Sequence, residues 1–515
     1  MKKDNIYNNN LSELEDMISK AEYLKYTLGS LIYWDKITYM PPKGIDYRTK
    51  VMAFLADEQY KILSAERFGE LVDFFDGNEE NDKKTNAMIK RIKRNSFFSS
   101  SIPEDEYSRY IKLIAISEQV WEKARNDNDF KLFKPYLEEI FDTFKRFSSY
   151  WGGGEDPYDA LMGYYEEGLS VKRIDQMVRE LKPFLTGMVA EINEKSKGIT
   201  AKKPDAITVN AMDQQHIWKA VLETMGFDFS AGRIDLGAHP TVLANSPSDV
   251  RIVNSYREDD VEFGLFNALH SGGKGIYQQS IDKELLGSFL AEAPSFAMEE
   301  CIGRFYENII GRSRGFVERF KDRISACLPA CPQMTAEQIY RDINLAKPSA
   351  IRIEADQFTY LLHIIIRYEI EKDIINGRLA VADLPDVWND KYREYLGSAP
   401  ANDTEGVLQD IHWAGGYVGY FPSYIVACLG AVQLKSAMEQ DMGTLDSLMS
   451  AGRFDMIKAW LNENIFRHGA VCCTKELMEK TTGKQLEAKY YIDYLREKFS
   501  EVYKCEIITN KEKER

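Results

Sequence analysis

The sequence predicts a mainly α-helical protein with a small β element. Two observations carry that reading. Apolar residues recur at three- and four-residue spacing over most of the chain, the period that lines one face of a helix. Alternating strand-like stretches are few and short. The composition agrees with a soluble globular fold: 515 residues, 44% hydrophobic and 29% charged.

Taken in order, Leu11–Leu31 places Leu, Met, Ile and Tyr on one helical stripe. Ser117–Ser149, Val171–Lys195, Phe358–Asn376 and Met456–Asn464 repeat the pattern. Arg251–Tyr256 and Ala206–Asn210 read as short strands, with Ala350–Glu354 a weaker third. Pro41-Pro42, Gly152-Gly153-Gly154 and Pro422 each interrupt a run. The polar connections Asp76–Lys84 and Lys195–Lys203 are too short to argue for separate domains. Residues 1–515 are therefore expected to form one domain, with Asn510–Arg515 as a frayed charged tail.

Charge and composition exclude several functions. The 66 Lys and Arg against 81 Asp and Glu give a net charge of −15. Gripping nucleic acid or an anionic membrane needs a cationic footprint, so neither is expected as a partner. The longest apolar candidates, Tyr360–Tyr368 and Tyr424–Val432, fall short of the ~20 residues that span a bilayer. Met1–Asn10 is polar and has no signal-peptide core. Seven cysteines, an odd number, fit reduced thiols in a cytoplasm better than a disulfide framework. Cys327 and Cys331, and the adjacent Cys472 and Cys473, read as thiols behaving like small hydrophobes rather than as zinc ligands. Only six histidines are available to any histidine-based metal site.

The stretch from Asp235 to Asn308 is the densest in chemistry-bearing residues. It holds His239-Pro240-Thr241, Asp249-Val250-Arg251-Ile252-Val253, Leu269-His270-Ser271-Gly272-Gly273-Lys274 and Glu299-Glu300. Downstream lie Ile351-Arg352-Ile353-Glu354-Ala355-Asp356 and Gly406-Val407-Leu408-Gln409-Asp410-Ile411-His412-Trp413. With Tyr33-Trp34-Asp35, Tyr39-Met40-Pro41-Pro42-Lys43-Gly44, Asp156-Pro157-Tyr158-Asp159-Ala160-Leu161, Arg304-Phe305-Tyr306-Glu307-Asn308, Gly311-Arg312-Ser313 and Gly419-Tyr420-Phe421-Pro422-Ser423-Tyr424, these resemble, in order and over nearly the whole chain, the carboxypeptidase Taq family of zinc metallocarboxypeptidases.

The resemblance implies a large helical zincin-like fold with a long cleft, zinc as cofactor, removal of C-terminal amino acids from peptides, and a homodimer. It implies a metal site of the H-E-x-x-H type. There two His four apart on one helical face share zinc, the Glu between them activates water, and a Glu on the next helix is the third ligand. Carried over residue by residue, His270 matches the first His and Glu300 the third ligand, but Ser271 stands at the base position and Lys274 at the second His. Glu299 replaces the His before the ligand Glu, Val253 the Thr of D-x-R-x-T, and Thr241 the Phe of His-Pro-Phe.

An ammonium has no free lone pair to give a metal, and a serine hydroxyl is too weak a base to replace a carboxylate. No second H-E-x-x-H exists, since His216, His363 and His468 lack a His partner at that spacing. The expectation is therefore no bound cofactor at this site. Lys274 is expected to stand in for the ion's charge opposite Glu300, and for Glu299 to share in the pairing.

What is kept is Arg352, which could hold a peptide carboxylate; His412; Tyr424 or Tyr420 as oxyanion donors; and His239, Asp249 and Arg251 lining the cleft. Each has a plain structural alternative. Arg352 could pair with Glu354 or Asp356, His412 could be a core histidine, Tyr417–Tyr424 could be aromatic packing, and Glu299 a solvated or Lys-paired carboxylate. Three functional readings follow. The first is a degenerate homologue without zinc hydrolysis that could bind peptides or a partner protein, or have no present substrate. The second is a working carboxypeptidase with metal on His270, Glu299 and Glu300, although adjacent helical carboxylates point about 100° apart. The third is a metal-free hydrolase using Ser271 and Lys274 at S-x-x-K spacing.

Overall fold

The computed structural model describes residues 2–195, 209–237, 240–326, 334–346 and 349–504. His239, Cys327, Cys331, Asn510–Arg515 and nearly all of Lys195–Lys203 lie outside them. Helices dominate, with one three-stranded sheet. Among the described residues, no helix is long and apolar enough to cross a membrane. Cys301 and Cys428 are buried free thiols, and Cys472 and Cys473 are half-buried ones.

The described residues gather into two compact units. The first comprises Met1–Ser96, Lys203–Ile339 and Ala437–Gly483. It contains the sheet, β1 Gly232–Leu236, β2 Thr241–Ser246 and β3 Asp249–Asn254, in the order β1-β3-β2. β1 runs parallel to β3 with Gly232 opposite Val250, and β2 runs antiparallel with Thr241 opposite Val253. β3 is central, which explains its near-continuous apolar run: Val250, Ile252 and Val253 are fully buried. The family's Thr position is thus a core valine here. The helix Val261–Ser280 packs on this sheet and on the helix Phe296–Arg304, which continues as a π turn, Phe305–Ile310.

The second unit comprises Phe97–Lys202, Tyr340–Ser436 and Lys484–Arg515. The Thr359–Ile375 helix is its core: Leu361, Leu362, Ile364, Ile365, Ile366 and Ile370 are all fully buried. Its polar His363, Arg367 and Glu371 are buried as well, so the helix is an interior one.

Several sequence expectations need correction. Leu11–Leu31 belongs to a longer run that starts at Lys2 and passes through a π turn at Thr27–Ile32. Ser117–Ser149 is two helices, Glu104–Asp127 and Phe130–Trp151, because Asn128 adopts φ 53° and ends the first. Apolar period alone did not reveal that left-handed stop. The expected strand Arg251–Tyr256 is β3, shifted two residues earlier. β1 and β2 were not foreseen, since their burial does not alternate cleanly. Ala350–Glu354 is not a strand; Arg352–Glu354 form a 3-10 turn. Of Ala206–Asn210 only the last two residues are described, and Asn210 caps a helix with its side chain. Pro422 opens a helix rather than merely ending a run, the position where a missing N–H costs nothing.

Candidate active site

In the first unit the Val261–Ser280 helix carries His270, Ser271 and Lys274, and the Phe296–Arg304 helix carries Glu299 and Glu300. Ser295 caps the second helix by accepting the N–H of Met298, and that fixes where its first turn presents the carboxylates. The first helix is unusual in having glycines at 272, 273 and 275 in its interior, each costing about 1 kcal/mol of helix propensity. Close packing explains them. A Cβ at Gly272 would fall 2.1 Å from Leu222, and one at Gly273 2.7 Å from Tyr306. Across from His270, Gly303 leaves the space the imidazole fills, since a Cβ there would lie 2.7 Å from the ring.

The charged side chains form a network. Lys274 Nζ donates to Glu300 Oε2 at 2.6 Å. Arg304 Nε donates to Glu300 Oε1 at 3.1 Å, and its Nη1 lies 3.2 Å from Glu307 Oε2. His270 has a carboxylate at each ring nitrogen: Glu307 at 3.0 Å from Nδ1 and Glu300 at 3.3 Å from Nε2. Glu300 is buried. Burial alone would raise its carboxyl, but the charges of His270, Lys274 and Arg304 outweigh that and hold it well below the usual range. Glu307 likewise resists burial: Arg304, then a hydrogen bond from His270, pull it down to about 2. The two carboxylates pair with Lys274 and Arg304, and Arg312 adds a further positive charge that acts on Glu307.

His270 and Glu300 keep a ligand-like separation; two ligands of one tetrahedral zinc ion stand about 3.3 Å apart, given bonds of ~2.0–2.1 Å. The third position does not fit a metal. Lys274 carries an ammonium on the same Glu300 oxygen. Glu299 is engaged elsewhere, accepting from Gln278 at 3.1 Å. Among the described residues, no group of three or more His, Cys, Asp or Glu is arranged to hold a metal ion. Ser271 is buried on the helix and supplies no carboxylate.

On the sheet, Asp249 accepts from Arg251 at 2.9 and 3.0 Å, from Tyr26 at 2.9 Å and from Asn245 at 2.8 Å. Arg251 also lies over the Trp34 ring, 4.5 Å from its centroid. β1 and β3 are in register at Arg233 and Arg251, so both arginines sit on one sheet face, and Arg233 caps Asp235 while lying over Trp34 as well.

The second unit holds the other expected residues. Arg352 is buried, and its Nε and Nη2 reach Asp410 Oδ1 at 3.0 and 2.8 Å. Its partner is thus neither Glu354 nor Asp356. Arg367 donates from Nε to Asp410 Oδ2 at 2.7 Å. Burial would raise the Asp410 carboxyl, but Arg352 and Arg367 hold it far below the ordinary range. His412 is pushed down to about 3 by burial and then by Arg352, so it is neutral near pH 7. Its ring sits among Phe421, Tyr420 and Tyr417, with centroids 4.8, 5.5 and 6.2 Å away. Tyr420 and Tyr424 meet edge to face at 5.5 Å.

Sequence reasoning missed Arg304, Glu307, Asp410 and Arg367 as members of these networks. For the first two the signal was present: Glu300, Arg304 and Glu307 are spaced four and three apart, one face of a helix.

Comparison with known proteins identifies the family. Residues 13–499 match the family described as Carboxypeptidase Taq (M32) metallopeptidase. The chain is 37% identical to Carboxypeptidase 1 of Bacillus subtilis, over 95% of this chain and 98% of that protein. It is 33% identical to Thermostable carboxypeptidase 1 of Thermus thermophilus, over 93% and 96%. A solved Pyrococcus furiosus carboxypeptidase superposes with a TM-score of 0.92 at 30% identity, covering 95% of this chain and 99% of that one. The chain belongs to the carboxypeptidase Taq family of metallopeptidases.

Proposed function

We propose that this protein keeps the family's fold but has lost, or greatly weakened, its zinc binding and hydrolysis, and acts by binding peptides. One observation carries the reading: the Lys274 ammonium lies 2.6 Å from the Glu300 carboxylate, where the family places a histidine. A cation there repels a dication, and removing the ion without supplying a charge would strand a buried carboxylate, which is costly. Ser271 adds a second defect, the missing general base. A cytoplasmic location and a homodimer, without nucleic-acid or membrane partners, belong to the same proposal.

The second reading, metal on His270, Glu299 and Glu300, draws support from the ligand-like 3.3 Å between His270 and Glu300. The Glu299 bond to Gln278 weighs against it. The Ser271/Lys274 hydrolase is disfavoured because a lysine held on a carboxylate is a poor base.

Elemental analysis of the purified protein, with an assay of C-terminal amino acid release in added zinc or cobalt, tests the proposal. The expected outcome is zinc far below one per chain and no release. Zinc at one per chain with chelator-sensitive release overturns it. The double variant Ser271→Glu with Lys274→His is expected to regain zinc, a reading supported by the 3.3 Å between His270 and Glu300.

A further inference from the structure

Glu371 lies on the Thr359–Ile375 helix and is fully buried. Three donors converge on it. Tyr158, from the helix Pro157–Tyr165, gives its hydroxyl to Oε2. Trp413 gives its indole N–H to Oε1 at 2.6 Å, and Gly419 gives its backbone N–H to Oε2 at 2.8 Å. Trp413 follows His412 and Gly419 precedes Tyr420. One carboxyl therefore holds the 406–421 segment on both sides of its aromatic cluster. Gly419 is confined from its other side too: its φ is +85°, and a Cβ would fall 2.8 Å from the Leu161 carbonyl oxygen.

We propose that Glu371 is a proton-dependent positioning residue for the segment carrying His412 and Tyr420, gripping both Trp413 and Gly419 as a carboxylate and holding Gly419 more weakly as an acid. The donor inventory sets the direction. An indole and a backbone N–H can only donate, so only the Tyr158 hydroxyl can turn round and accept the acid's proton. The proton therefore settles on Oε2, the oxygen Tyr158 shares with Gly419, and the Gly419 N–H is left facing a hydroxyl oxygen, a weaker acceptor than a carboxylate. Among the described residues, the ionisable and charged groups that act on Glu371 include Tyr158 and Tyr165 on one helix and Arg367 on its own. Burial pushes the carboxyl up to about 7 against the lowering effect of the three donors and Arg367, so the exchange falls near neutrality.

The link to ligand rests on the peptide-binding proposal; the anchor itself does not. Hydrogen exchange of the whole protein, read by mass spectrometry from about pH 6 to 8 and corrected for intrinsic rates, tests the anchor. Protection of residues 413–421 is expected to rise several-fold as pH passes about 7. Glu371→Gln presents a carbonyl to Trp413 and an NH2 to Tyr158, and an NH2 accepts nothing from Gly419, so it should exchange fast at every pH. Wild-type protection that ignores pH overturns the anchor, and so does a Glu371→Gln protein that keeps the wild-type response. Should that variant not fold, the wild-type series alone decides. Hippuryl-arginine serves as the peptide probe, and its affinity should follow the same midpoint. No probe binding beside pH-dependent protection sinks the peptide reading and leaves the anchor standing.

Discussion

At the residue scale, Lys274 sets the order of a charged site. It pairs with Glu300 in a network that includes Glu307, Arg304 and His270. Its removal should therefore be expensive. Lys274→Met should lower unfolding free energy by roughly 2–4 kcal/mol in urea titrations, below the full 3–5 of a stranded buried charge because Arg304 stays on Glu300. A loss under about 0.5 kcal/mol would mean the pair is a surface-like contact. In the second unit Asp410 sits between two buried arginines. Asp410→Asn should cost ~3–5 kcal/mol, and Arg352→Met combined with it should cost less than the sum of the two. Additive losses in denaturant titrations would show that the two side chains are not coupled.

Individual motif residues were readable because chemistry attaches to residue type: a lysine cannot be a neutral imidazole whatever surrounds it. Their partners were not. Arg352 had two acidic neighbours in sequence, Glu354 and Asp356, yet bonds to Asp410, 58 residues away. Chain proximity is a weak guide where a 3-10 turn points a side chain away from its neighbours.

At the element scale, helices approach closely where the sequence is poorest in helix formers. Gly272→Ala gains about 1 kcal/mol of propensity but sets a Cβ 2.1 Å from Leu222. The net effect should be a destabilisation of ~1–3 kcal/mol, read as a lower Tm. An unchanged or raised Tm would show that Leu222 can move aside. Glu371 sets a pH dependence on the second unit. Its folded carboxyl is raised from 4.5 to about 7, so between those values the folded state holds a proton that the unfolded state has lost. Stability from this group is full below pH 4.5 and declines as pH rises to about 7, by roughly 3 kcal/mol at ~1.4 per unit. Glu371→Gln should remove that part of the slope in unfolding titrations taken at successive pH values. An identical slope in the variant would assign the dependence to other groups.

At the scale of the whole molecule, each compact unit is assembled from three separated stretches of chain. Late sequence therefore completes early structure. The helix Ala488–Tyr503 buries Tyr491, Leu495, Phe499 and Val502 within its unit. It also bonds to residue 357, through the Tyr491 hydroxyl and Lys498 Nζ, at 2.9 Å each. A chain ending at residue 483 should lose cooperative unfolding of the second unit, visible as a broadened calorimetric transition; an unaltered transition would show that this helix is dispensable.

By itself the sequence determined the fold class and the family. Apolar period, ordered motifs and side-chain chemistry are properties of local sequence, and none depends on knowing what touches what. Tertiary structure decided the rest: that Lys274 reaches Glu300, that Glu299 turns to Gln278, and that Asp410 rather than a nearer carboxylate takes Arg352. It also decided that a carboxyl as unmarked in sequence as Glu371 lies where burial can shift it to about 7. Burial and pairing between distant segments set these energies, because electrostatic strength depends on distance and surroundings that only the folded chain supplies.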